Sequence, residues 1–198
     1  MDYQELIDFY KEIEGLKRTM RYSQAGKSVQ EPVAGHSWKA ILMANQLASQ
    51  LEINVDIEHV MKILLVHDLP EYKDEYDVDS SISQRDEQIK FQKASNEEAV
   101  MTAIRNNYSF GPAIYDLWKE YEDGETREAK YAKAIDKLEA QTHLLALGGE
   151  HFDDAEHCIH VADKAIANFP ELLPFADHLK QNMIDAARKA GHLDNRNI

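Results

Sequence analysis

Apolar side chains recur at three- and four-residue spacing along nearly the whole chain, and nowhere do apolar and polar residues alternate over a useful length. The first pattern lines one face of a helix; the second is what a half-buried strand needs. The spacing predicts helices around residues 2–20, 35–51, 56–70, 84–106, 112–122, 125–147, 153–167 and 171–191. Glycine and proline number only 8 and 5 and fall at the boundaries. Gly148-Gly149 marks a helix stop, Asn168-Phe169-Pro170 and Pro174 punctuate the C-terminal region, and Asp56 before Ile57-Glu58-His59 reads as an N-cap. No internal repeat or low-complexity segment interrupts the pattern. An all-α fold is therefore expected, and 198 residues suit one domain with a sizeable core.

Charge narrows the partners. The 22 basic and 36 acidic residues leave a net charge of -14, which opposes tight binding to a nucleic acid polymer. It leaves room for a mononucleotide held by a cation and one arginine. No apolar run approaches membrane-spanning length. Cys158 is the only cysteine, so no intrachain disulfide can form and a reducing, cytoplasmic setting is expected. Met1-Asp2-Tyr3-Gln4-Glu5 has neither the basic nor the apolar region of a signal peptide.

The chemistry concentrates in Ile63-Leu64-Leu65-Val66-His67-Asp68-Leu69-Pro70-Glu71, where a histidine and an aspartate end an apolar run. On a continuous helix Asp68 would extend the stripe of Ile57, Val60, Met61 and Leu64. A carboxylate there is costly unless paired, and a divalent cation is a simple partner for His and Asp together. Taken alone, the doublet fits a His–Asp hydrogen bond in the core about equally well. Two ligands do not hold a catalytic metal. His36, in what reads as the first turn of a buried helix, and Asp136, in Ala132-Lys133-Ala134-Ile135-Asp136-Lys137-Leu138-Glu139-Ala140, are further candidates. Ala132 and Ala140 would let another helix approach.

The order His36, His67-Asp68, Asp136 resembles the HD-domain metal-dependent phosphohydrolases. Within them, the chain is most similar to the YfbR-like and HD-domain-containing-protein-2-like 5'-deoxynucleotidases. Glu31-Pro32-Val33-Ala34-Gly35-His36 stands where those proteins have Glu-Ser-Val-x-x-His, and His67-Asp68-Leu69-Pro70-Glu71 matches His-Asp-x-x-Glu. Leu117-Trp118-Lys119-Glu120-Tyr121-Glu122 matches Leu-Trp-x-Glu-Tyr-Glu, and Glu128 to Lys137 matches the segment before the last ligand. The similarity runs roughly over residues 10 to 145. It implies a compact multi-helix HD-domain bundle as a single domain over 1–198, with a core of about 10–150 and extra C-terminal helices at about 151–191. It also implies a homodimer, and one divalent ion (Co, Mn, Mg, Zn or Fe) on His36, His67, Asp68 and Asp136.

Two neutral imidazoles and two carboxylates would leave a divalent ion formally neutral, able to polarise a phosphoryl oxygen and acidify a water. Glu71 is the candidate to orient or deprotonate the attacking water. Relatives place an aspartate nine residues beyond the doublet's histidine, where this chain has Tyr76. One inserted residue would restore Asp77 to that role as general acid or sugar contact. Leu16-Lys17-Arg18-Thr19-Met20-Arg21-Tyr22 resembles the family's phosphate-binding segment; Arg21 matches its arginine, Tyr22 lies near its base-contacting tryptophan, and Arg18 is the fallback.

Other groups have plainer readings. His157 and His160 fit a solvated or interface pair, and His143 fits packing or a surface position. Trp118 and Tyr121 fit the core. The acidic run from Glu71 to Asp79 is not a calcium loop, since Ile82 and Gln88 stand where an EF-hand starting at Asp77 needs Gly and Glu. The leading expectation is release of phosphate from 5'-deoxynucleoside monophosphates. Its alternatives are hydrolysis of an alarmone or cyclic nucleotide, and a non-catalytic partner protein stabilised by its metal.

Overall fold

Thr19 is buried at 1% exposure and joins three segments that are distant in sequence. Its hydroxyl donates to the Glu71 carbonyl at 2.9 Å, its carbonyl accepts from the Val33 N–H at 3.0 Å, and its own N–H donates to the Gly15 carbonyl at 3.1 Å. The computed structural model that shows this describes residues 2–22, 30–73, 87–152 and 154–193. Asp77, and Tyr76 beside it, lie outside the described residues.

The elements run in order as α1 (Tyr3–Glu12), a 3-10 turn (Ile13–Lys17), β1 (Met20–Arg21), β2 (Glu31–Pro32), α2 (Val33–Gln50), α3 (Ile57–Val66) and a 3-10 turn (Leu69–Lys73). There follow α4 (Glu87–Asn107), α5 (Gly111–Asp123), α6 (Arg127–Leu147), α7 (Ala155–His160), α8 (Asp163–Ala167) and α9 (Leu173–Ala190), with short 3-10 turns at Gly149–His151 and Pro170–Leu172. The architecture is all-α. Its one ladder among the described residues is an antiparallel pair, with Met20 opposite Pro32 and Arg21 opposite Glu31.

Several sequence expectations hold in detail. Asp56 caps α3 by accepting from the His59 N–H at 3.1 Å. Gly148 ends α6 with φ 110, a backbone state that glycine adopts without strain. Three boundaries differ. The helix expected over 2–20 stops at Glu12, because the chain tightens into a 3-10 turn around Gly15. A Cβ at Gly15 would run into the carbonyl oxygen of Tyr72, so only glycine lets the two 3-10 turns meet. The stretch 153–167 is divided between α7 and α8, with Val161 and Ala162 in a turn. The helix expected over 56–70 ends at Val66, and the 3-10 turn follows.

The chain forms two compact units, Met1–Trp38 with Lys62–Asp123, and Lys39–Met61 with Gly124–Ile198. In the first, Phe9, Val66, Leu69, Tyr72, Met101, Ile104 and Trp118 form one buried cluster. Phe9 meets Tyr108 and Phe110 edge-on, each at 5.1 Å between ring centroids. Beside this cluster the Glu12 carboxylate accepts hydrogen bonds from both the Tyr72 hydroxyl, at 2.5 Å, and the Tyr108 hydroxyl. Burial alone would raise the Glu12 pKa, but the two phenols and Lys73 outweigh it and hold the group below its ordinary value. In return the Tyr108 hydroxyl, donating to a carboxylate, is pushed up to about 12. In the second unit, α6 is buried through Tyr131, Ala132, Ile135 and Leu138. The Tyr131 hydroxyl donates to the Ala44 carbonyl at 2.8 Å, and Lys39 pairs with the fully buried Glu139 at 2.9 Å.

Gly15→Ala should therefore destabilise the protein by about 1–3 kcal/mol, the usual cost of forcing atoms into a packed region. Gly35→Ala, in the first turn of α2, meets only the Pro32 side chain at an ordinary 3.9 Å and should be neutral or slightly stabilising. Urea unfolding of both variants checks the contrast; equal stabilities would show that the turns tolerate separation.

Candidate metal centre

The buried stripe of α2 runs Val33, His36, Ser37, Ala40, Ala44, Ala48. His36 lies on it one turn into the helix and is fully buried. In α3 the stripe is Val60, Ile63 and Leu64, and the residue that continues it is His67, at 3% exposure. Asp68 does not extend that stripe as a continuous helix would have made it. Because α3 stops at Val66, Asp68 sits in the following turn, its side chain 21% exposed. The Glu71 N–H donates to the Asp68 carbonyl at 3.1 Å, which turns the chain and buries Glu71 to 3% exposure.

These local choices bring three donor atoms together. His67 Nε2 lies 3.4 Å from His36 Nε2 and 3.2 Å from Asp68 Oδ2, and His36 Nε2 lies 3.7 Å from Asp68 Oδ2. His67 Nδ1 is 2.8 Å from the Leu64 carbonyl oxygen. A carbonyl only accepts, so Nδ1 carries the proton and Nε2 of the neutral ring presents a lone pair. That lone pair faces a carboxylate oxygen at 3.2 Å, an arrangement that calls for a cation between them. A proton satisfies one pair of atoms; a metal ion satisfies all three. Ligand atoms about 2.1 Å from a metal are separated by about 3.0 Å at a right angle and about 3.4 Å at the tetrahedral angle. The observed separations fall in that range or slightly beyond it, so these donors fit a divalent ion. The fixed tautomer of His67 is the kind of outer contact that orients a metal-binding imidazole. The partial exposure of Asp68 gives solvent access to the cluster.

The Tyr121 ring packs edge-on against the His67 ring at 5.1 Å. The sequence placed Tyr121 in the core, and it is buried there, but its contact with a candidate ligand was not foreseen. Lys93 is the other unanticipated neighbour: its Nζ is 3.1 Å from Glu71 Oε1 and 3.6 Å from Glu97 Oε1. It comes from α4, 22 residues beyond Glu71, and no sequence spacing links the two.

The remaining candidates are placed as follows. Asp136 is in the second unit, on α6, buried to 4% exposure with its Oδ2 2.8 Å from Lys137 Nζ. Arg21 pairs across the ladder with Glu31 at 2.9 Å, each side chain 12% exposed, and its guanidinium lies 5.3 Å over the Tyr22 ring. Tyr22 has φ 59, a left-handed state uncommon for an aromatic residue. Arg18 is exposed at the end of the first 3-10 turn. His160 is exposed in the second unit and bonds Asp163 at 2.7 Å, while His157 is half-buried.

A family model described as HD domain matches residues 13–172. The 5'-deoxynucleotidase HDDC2 of Danio rerio is 32% identical over 138 residues, 68% of this chain and 65% of that protein. The chain thus spans just under two thirds of that relative's length. The protein of the same name from Dictyostelium discoideum is 30% identical over 145 residues, 70% of this chain and 73% of its own. Among solved structures, a predicted metal-dependent phosphohydrolase from Magnetospirillum magnetotacticum superposes with a TM-score of 0.74 at 25% identity, covering 96% of this chain and 97% of that one.

Asp68→Ala should leave a folded protein that no longer retains the ion, because it removes the anionic member of the cluster. Elemental analysis after refilling stripped protein is the direct check. A cation at about 100 times its Kd should stabilise the wild type by about 2.7 kcal/mol, and the variant should lose most of that gain. Full occupancy in Asp68→Ala would show that the ion binds elsewhere.

Proposed function

The chain belongs to the HD-domain family, and from that premise we propose that it is a metal-dependent phosphohydrolase releasing phosphate from deoxynucleoside 5'-monophosphates. The observation that carries this reading is the convergence of His36 Nε2, His67 Nε2 and Asp68 Oδ2, with the buried Glu71 held to the Asp68 carbonyl through its backbone N–H. Asp136 is proposed as the fourth ligand, supported by its place in the family order and its burial in α6. When bound, a divalent ion polarises a phosphoryl oxygen and lowers the pKa of a water.

The chain's own residues supply the rest. His36 and His67 offer neutral nitrogen donors, and Asp68 offers charge on the side that solvent reaches. Glu71, three residues after Asp68, is proposed to accept the proton of the attacking water. Arg21 is proposed to hold the phosphate and Tyr22 to face the base, with Arg18 as the alternative cation. Glu31 already balances the charge of Arg21, so a phosphate there would exchange one anion for another. Asp77 is proposed as the second acid on sequence grounds. The family resemblance and the single cysteine support a cytoplasmic homodimer built from one domain over 1–198. No helix among the described residues is long and apolar enough to cross a membrane.

The test is a phosphate-release screen over nucleotides, using stripped protein refilled in turn with Co, Mn, Mg, Zn or Fe. Metal-dependent release from deoxynucleoside monophosphates is expected. Release only from alarmones or cyclic nucleotides, or none at all, contradicts the assignment. Glu71→Ala should keep its metal and lose roughly 10²–10⁴-fold in turnover, the usual contribution of a positioned acid or base. Near-normal turnover in that variant would remove Glu71 from the mechanism.

Arg21→Ala should instead raise KM with a smaller change in kcat, since it holds charge present in both ground and transition states. An unchanged KM with a collapsed kcat would show that Arg21 acts on the reaction itself.

A further inference from the structure

We propose that Lys93 is a positioning residue, whose ammonium holds the Glu71 carboxylate in the orientation needed to receive a proton from water. This rests on the reading of Glu71 given above. The backbone of the Leu69–Lys73 turn is fixed by other contacts: the Thr19 hydroxyl on the Glu71 carbonyl at 2.9 Å, and the close approach of Gly15 to Tyr72. Neither contact touches the carboxylate. Lys93 Nζ does, at 3.1 Å from Oε1. A carboxylate offers about four acceptor positions, so one ammonium contact orients the group without exhausting it. The Glu71 side chain is only 4% exposed, and the Lys93 side chain 27%, so water competes weakly for the pair.

The alternative role for a lysine here, a direct grip on substrate phosphate, fits the surroundings less well. Lys93 stands between Glu71 at 3.1 Å and Glu97 at 3.6 Å, so the three groups carry a net charge of about −1 when all are ionised. A phosphate gripped by Lys93 would have to compete with both carboxylates for the same ammonium. The Lys93–Glu97 pair is spaced i,i+4 on α4, so a second carboxylate also holds the ammonium that reaches Glu71.

A double-mutant cycle tests the proposal. Lys93→Ala should lower kcat roughly 10²-fold, the scale of loss when a reacting group is displaced by about an ångström, with KM and metal content unchanged. Lys93→Arg should recover most of that loss. In a Glu71→Gln background, Lys93→Ala should bring no further fall in kcat, because the effect travels through Glu71. The same cycle read by thermal unfolding should show coupling, Lys93→Ala costing more stability beside Glu71 than beside the uncharged Gln. Lys93→Gln keeps the side-chain stem and serves if the alanine variant folds poorly.

A rise in KM with kcat intact would overturn the proposal in favour of phosphate binding. Multiplicative kcat losses in the double variant would overturn it in favour of an independent role. Wild-type protein that released no phosphate under any metal would defeat the phosphohydrolase reading, and the catalytic half of this proposal with it. Coupling in the unfolding cycle would then still establish the ion pair itself.

Discussion

The candidate metal centre depends on the hydrogen bond between His67 Nδ1 and the Leu64 carbonyl. By accepting from His67 Nδ1 the carbonyl selects the tautomer in which the neutral ring presents Nε2 as a lone pair, and the fold aims that nitrogen at a second imidazole and a carboxylate. Three donor atoms 3.2–3.7 Å apart are not stable together without positive charge among them. The stripe of α2 delivers His36, the stripe of α3 delivers His67, and the end of α3 at Val66 turns Asp68 toward both. Burial of the two imidazoles strengthens the demand, since solvent cannot screen what faces them.

Thr19 and Gly15 fix the turn that carries Glu71, the proposed proton acceptor. Thr19 binds the start of α2 and the Glu71 carbonyl with one residue, so the segment carrying His36 and the turn carrying Glu71 cannot drift apart independently. Gly15 admits the backbone of that turn because it has no Cβ to obstruct it. The carboxylates of Glu71 and Glu12 are each held by donors on other segments, Lys93 for the first and the Tyr72 and Tyr108 hydroxyls for the second.

Much of this was legible in the sequence, and the reasons are local. Helical periodicity and scarce glycine revealed the all-α fold, and the stripes that carry His36 and His67 follow the same periodicity. The residue assignments for metal binding came from order and resemblance. What periodicity could not show is where a helix gives way to a 3-10 turn. Leu69-Pro70 continues an apolar pattern, yet a proline two residues past the doublet disfavours a continuing α-helix. That error put Asp68 on the core stripe where His67 belongs. The Thr19, Lys93 and Glu12 contacts were invisible because each joins segments far apart in the chain, with no shared spacing to betray them. Two-residue strands such as β1 and β2 are too short to carry an alternation signal.

Anomalous diffraction from crystals of stripped protein refilled with cobalt or manganese tests the central claim most directly. A single strong peak within bonding distance of His36 Nε2, His67 Nε2 and Asp68 Oδ2 is the predicted result. A map without a peak there, or with the ion bound by other side chains while these three close onto a shared proton, would contradict it.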